Sequence, residues 1–290
     1  MNFKKRNRKE IFRGWYFKQQ GKDLTISFIP AVFYDSLGGE SATLQVVFDG
    51  KVKTIKYEKA TIIDNKEMLY IVMGDNMFSD QCIYIDIEED DLVVKGTLLF
   101  DEISDAKFDA MGPLKFLPLE CKHDIISMSH KLKGELTVNG QICSFDDGIG
   151  YVEMDQGKSF PSQYLWTQCN NFHNNSCSLM VAVAKIPFAG RSFLGCICAI
   201  AYKNKKYKFA TYNGAKVKEF SKEGFRITSG DYTLSGEFLG GEGITLKSPE
   251  MGQLTNTTVE YLQCKMSYRL KRKNTVIFQL ESENASFEFY

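Results

Sequence analysis

The chain has 290 residues, with 36 Lys+Arg against 36 Asp+Glu, 43% hydrophobic and 13% aromatic residues. A length of this order holds two ordinary domains or one large one, and the composition excludes a disordered chain. Zero formal charge removes the surplus of Lys and Arg that phosphate binding draws on, so no nucleic-acid partner is expected.

The chain opens on a basic stretch, but Gly14-Trp15-Tyr16-Phe17-Lys18 follows it in place of the long apolar segment and small-residue cleavage site of a signal peptide. The longest apolar stretches, Leu179 to Ala184 and Phe193 to Tyr202, fall short of the ~18 residues a membrane helix needs. A soluble, cytoplasmic chain with no transmembrane segment is expected, and transient contact with a membrane surface is compatible with it. The eight cysteines form no C-x-x-C pair, and Cys196 and Cys198 alternate onto one face of a strand. They read as small buried hydrophobes in a reducing compartment.

Periodicity is mostly two. The runs Leu24 to Phe33, Thr43 to Phe48, Leu69 to Met73, Cys82 to Ile87, Leu92 to Phe100 and Ile125 to Val138 are rich in β-branched and aromatic residues. So are Tyr164 to Phe172, Ser178 to Ile186, Phe193 to Tyr202, Phe225 to Phe238 and Thr258 to Leu270. Hairpin turns are marked by Asp49-Gly50, Asn139-Gly140, Lys203-Asn204 and Gly230-Asp231. Asn213 to Phe220 is the one segment that allows a short amphipathic helix. An all-β antiparallel meander is predicted.

The pattern is also written twice. Gly14-Trp15-Tyr16-Phe17-Lys18-Gln19 and a strand ending near Pro30 are echoed by Tyr164-Leu165-Trp166-Thr167-Gln168 and a strand ending near Pro187. Gly150-Tyr151-Val152-Glu153 is echoed by Ala285-Ser286-Phe287-Glu288. Two tandem antiparallel β-barrel or sandwich units are expected, residues 1–155 and 156–290, with Trp15 and Trp166 at equivalent points. A barrel of about eight strands either packs its interior or holds one small lipophilic molecule. The aromatic content serves both outcomes, as core or as cavity wall.

The densest polar constellation runs from Glu120 to Phe172 and includes His123 and His130. In an extended segment Tyr151, Glu153 and Asp155 project to one face, so two carboxylates can share a site and a proton with a phenol beside them. The alternative is an acidic strand end, with Asp155 capping a turn into Gly157. Gln168 and Asn170 alternate onto one face in the same way. With three histidines in the chain no metal site is expected, and no G-x-S-x-G, P-loop or G-x-G-x-x-G stands between a strand and a helix.

These residues carry a resemblance. Phe12-Arg13-Gly14-Trp15-Tyr16-Phe17-Lys18, Glu120 to His130, Gly148 to Pro161, Trp166 to Phe172 and, more weakly, Ser248 to Leu254 resemble the tocopherol cyclase family in its shorter bacterial branch. The resemblance implies a tandem lipocalin-like fold and, for the plant and cyanobacterial members, closure of a chroman ring on a prenylated hydroquinone without a cofactor. It makes Asp155 and Glu153 the candidate acid and its partner. Trp15, Tyr16 and Trp166 become candidate walls, Gln168 and Asn170 orienting groups, and Tyr151, His123 and His130 further ligand contacts. Three positions depart from the family: Arg13 stands where Glu is usual, Gln156 for Trp, and Asn171 for His. Three readings follow: a tocopherol-cyclase-like protein binding a lipophilic small molecule, a diverged cyclase or isomerase, and a structural or interaction protein with a degenerate site.

Overall fold

The computed structural model describes residues 11–290 apart from 66–67, 105–108, 118, 174–175 and 189, and the basic opening stretch lies outside the described residues. Strands dominate. In the first half they are β1 (Ile11–Gln20), β2 (Thr25–Tyr34), β3 (Glu40–Phe48), β4 (Lys51–Tyr57), β5 (Thr61–Asp64), β6 (Leu69–Met73), β7 (Asn76–Ser79), β8 (Cys82–Glu89), β9 (Leu92–Asp101), β10 (Cys121–Val138), β11 (Gln141–Ser144) and β12 (Ile149–Gly157). In the second half they are β13 (Tyr164–Cys169), β14 (Cys177–Phe188), β15 (Arg191–Tyr202), β16 (Lys205–Ala210), β17 (Lys216–Ser221), β18 (Gly224–Ser229), β19 (Tyr232–Gly241), β20 (Ile244–Glu250), β21 (Gln253–Arg272) and β22 (Thr275–Phe289).

Two antiparallel sheets result, and their strand orders repeat. The first runs β4-β3-β2-β1-β12-β10-β9-β8-β7-β6-β5, with β11 beside β10; the second runs β16-β15-β14-β13-β22-β21-β19-β18-β17, with β20 beside β21. Read from β4 and β16, the two paths match strand for strand over nine places, which is the duplication expected from the sequence. The turns match as well. Asp49-Gly50, Asn139-Gly140 and Lys203-Asn204 all hold positive φ at both residues, the backbone of the type I′ hairpin turn. Asn213 to Phe220 is not a helix. A short 3₁₀ turn, Thr211–Asn213, ends on that segment's first residue and β17 follows, whose Val217 and Phe220 pair with Ile227 and Phe225 of β18; pairing with a neighbour overrides a weak local period.

By contacts the chain divides into two compact units. One holds residues 1–105, 129–160 and 247–256, and the other 106–128, 161–246 and 257–290, so β10 and β21 each contribute to both. Within the first unit Phe17 lies opposite Phe28 and both rings meet Phe78, at 5.4 and 6.1 Å between centroids. All three are fully buried, which at about 1.5–3 kcal/mol for each large apolar side chain makes them central to that unit's core. Within the second unit the core gathers Leu165, Cys169, Val181, Cys196, Cys198 and Phe287 among others. Cys196 and Cys198 share the core face, as alternation requires.

Candidate functional site

The pairing of β1 with β12 sorts the predicted residues of the first unit onto two faces. Tyr16 lies opposite Glu153, Lys18 opposite Tyr151, and Gly14 opposite Asp155. Directly opposed residues of an antiparallel pair project to the same side, so Tyr16, Lys18, Tyr151, Glu153 and Asp155 share a face. This is the face turned away from Phe17. Lys18 and Tyr151 are fully buried, Glu153 is buried, and Asp155 is half-buried. The Tyr151 hydroxyl donates to Glu153 Oε2 at 2.5 Å. Burial, with the charges of Glu153 and then Asp155 beside it, pushes the Tyr151 phenol well above its ordinary range. It therefore stays protonated and acts as a fixed donor. Asp155 does not cap a turn, because β12 continues through Gly157, which lies opposite Phe12.

Trp15 and His130 belong to the other face. Trp15 is in phase with Phe17 and lies opposite Met154, and the Arg13 guanidinium sits 5.1 Å from its ring while pairing with Asp64. His130 packs on Phe100 with ring centroids 4.0 Å apart. Gln19, fully buried, lies opposite Gly150, and both His130 and Gln19 approach that glycine so closely that a Cβ would have no room. Burial pulls the His130 imidazole down to about 3, so it is neutral at physiological pH. The unfolded chain takes up a proton near pH 6.5 where the folded chain does not, so stability falls as pH drops below that value. A loss of about 1–2 kcal/mol between pH 6.5 and pH 5 is expected from this group. Urea denaturation at the two pH values should show it, and His130→Gln should remove that increment.

In the second unit β13 is buried throughout. Thr167 faces the core and bonds to the Tyr268 hydroxyl at 2.5 Å, so Trp166 and Gln168 share the opposite face, and Asn170 follows just past the end of β13. Asn170 Nδ2 donates to the Met128 carbonyl at 3.4 Å. His123 is buried on the part of β10 that groups with this unit. Trp166 lies opposite Glu288, as Tyr16 lies opposite Glu153. The repeat equivalent of Trp166 is therefore Tyr16, and Trp15, one residue away, points to the other face. Such a one-residue difference inverts a side chain's side of the sheet.

The polar face of the first unit thus unites Tyr16, Tyr151, Glu153 and Asp155, and that of the second carries Trp166 and Gln168, with Asn170 just beyond the strand. Sequence reasoning passed over three charged members, Lys18, Glu260 and Glu288. Glu260, on β21, is fully buried and lies opposite Glu288; the Tyr164 hydroxyl donates to Glu288 Oε2 at 2.7 Å. A charged residue in phase with buried apolar neighbours was the signal: Glu260 falls on the same alternation as Leu262, Cys264, Met266 and Tyr268. Two of the three departures, Arg13 and Gln156, lie opposite each other on the Trp15 face, not with the carboxylates.

Comparison with known proteins bears on the family and the fold. The tocopherol cyclase-like family model matches residues 94–289, more than half of the chain. Among solved structures, CghA is similar at a TM-score of 0.60 and 9% identity, over 97% of this chain and 88% of that one. CghA crystallised with Sch210972 is similar at a TM-score of 0.59 with the same identity and coverage. No curated protein matches. Among the described residues no helix is long and apolar enough to cross a membrane. The two antiparallel β units of matching strand order and the family match lead to one conclusion: this chain is a member of the tocopherol cyclase-like family.

Proposed function

We propose that this protein binds an uncharged, prenylated quinol-like molecule and closes a ring on it by acid catalysis. The observation that carries the reading is the buried face of β1 and β12 on which Tyr151 donates to Glu153 with Asp155 and Tyr16 alongside. The hydrogen bond donated by the Tyr151 phenol occupies an oxygen of Glu153, which leaves Asp155 as the candidate general acid. Asp155 would protonate the prenyl double bond; the tertiary cation so formed would be shielded by the Tyr16 ring; the ring hydroxyl would then bond to the cationic carbon and return its proton to Asp155. No atom is gained or lost, so the step is an isomerisation. Water must be kept from the cation, and a buried face does this. The departures at Arg13 and Gln156 do not weigh against the scheme, since both lie on the other face. We further assign the two halves, 1–155 and 156–290, as the duplicated domains.

The test is direct. Purified protein is incubated with a panel of prenylated hydroquinones, chromanol formation is followed by liquid chromatography with mass detection, and binding is followed by native mass spectrometry. Chromanol formation is the expected result. Binding without turnover would leave a carrier, and neither binding nor turnover would remove the small-molecule reading altogether.

A further inference from the structure

On the face of β13 that carries Trp166, one buried group has no use in the scheme above. Gln168 is fully buried, and neither its amide nitrogen nor its amide oxygen has a hydrogen-bond partner among the described residues. A buried carboxamide left in this state carries its whole desolvation cost, which a folded protein seldom keeps without a reason. Its neighbours are committed elsewhere. Ser286, opposite Gln168, donates to the Leu262 carbonyl at 2.9 Å, and Glu288, opposite Trp166, accepts from Tyr164. Glu260, fully buried, is the residue across from Glu288, so amide, indole and two carboxylates emerge on one side of one sheet.

The geometry points to Gln168 as the anchor of a ligand's polar group, in a site of the C-terminal unit walled by Trp166. A carboxamide offers a donor and an acceptor side by side, and it is matched by a group that both donates and accepts: a hydroquinone hydroxyl or a lactam. Two carboxylates on the same face oppose an anion, so the ligand's head is neutral. This rests on the small-molecule reading above and adds a second place, in the C-terminal unit, where such a molecule's hydroxyl is held.

The experiment compares wild type with Gln168→Met, in which an apolar side chain of similar length replaces the amide. In ligand-free protein the variant is expected to melt about 2–4 °C higher, because a buried group without partners is gone. Its affinity for a prenylated hydroquinone, titrated by tryptophan fluorescence, is expected to fall at least tenfold, while affinity for the corresponding dimethyl ether, which has no hydroxyl to donate, should not change. A variant that melts lower than wild type, or that binds the hydroquinone equally well, would overturn the anchor. The melting comparison is read without any ligand, so the two readings fail separately. A wild type that binds neither probe while Gln168→Met melts higher rejects the prenylated quinol and supports the anchor.

Discussion

Asp155→Asn is expected to slow ring closure by about 10²–10⁴-fold, the usual contribution of a positioned general acid, with the melting temperature almost unchanged. The asparagine keeps the shape and loses the acidic proton. Because Asp155 is half-buried and lies opposite Gly14, the exchange introduces neither a clash nor a fully desolvated orphan group. Glu153→Gln should act differently. It weakens the acceptor of the Tyr151 hydroxyl inside a buried pair, so it should lower stability as well as rate. Product formation on a prenylated hydroquinone, measured beside thermal melts of both variants, separates the two roles. An Asp155→Asn protein as fast as wild type would remove Asp155 from the chemistry, and a fast Asp155→Asn with a slow, well-folded Glu153→Gln would exchange the assignments.

Gly150→Ala should be the most damaging small substitution in the first unit. A Cβ there would overlap His130 Nε2 and stand 2.5 Å from Oε1 of Gln19. His130 has little freedom to yield, being stacked on Phe100 with centroids 4.0 Å apart and buried all round. Overpacking of this kind costs about 1–3 kcal/mol, more where the obstructing ring is held. The strain falls on β12, one residue from Tyr151, so an effect on the carboxylate face is expected beyond the loss of stability. Denaturant titration of Gly150→Ala, His130→Ala and the double variant checks the cause. If the clash is with His130, the double variant should recover much of what Gly150→Ala loses; an additive result would put the cause elsewhere.

Much of the fold could be read from the chain, for reasons that particular residues make clear. Strands with one buried side, such as Leu92–Asp101, announce themselves by alternation, and the Asp-Gly and Asn-Gly pairs mark their turns. Strands such as Lys51–Tyr57 and Lys205–Ala210 did not stand out, since Lys and Thr dilute their apolar period and their place comes from pairing with β3 and β15. The site was legible where period two holds without interruption: Tyr151, Glu153 and Asp155 on one side of β12, and Trp166 and Gln168 on one side of β13. It was not legible for Trp15, whose aromatic character suggested a wall and whose register with Met154 sends it to the core side. Glu260 was not legible because its immediate neighbours, Thr257, Val259 and Gln263 among them, are exposed and a glutamate among them reads as one more solvated side chain.

The pairing of β21 with β22 shifts register between Tyr261 and Cys264, and again between Cys264 and Met266. On paper Glu260 and Tyr268 keep the same beat; in the sheet the irregularity gives Glu260 to the side of Trp166 and Tyr268 to the core. One ribbon thereby serves two masters, a greasy interior at one end and a buried polar face at the other, and the handover takes only two or three residues. Adding or removing a single residue in this stretch would rotate Glu260 to the wrong side. Chain length between Tyr261 and Met266 is therefore the quantity that relatives sharing this site should hold fixed.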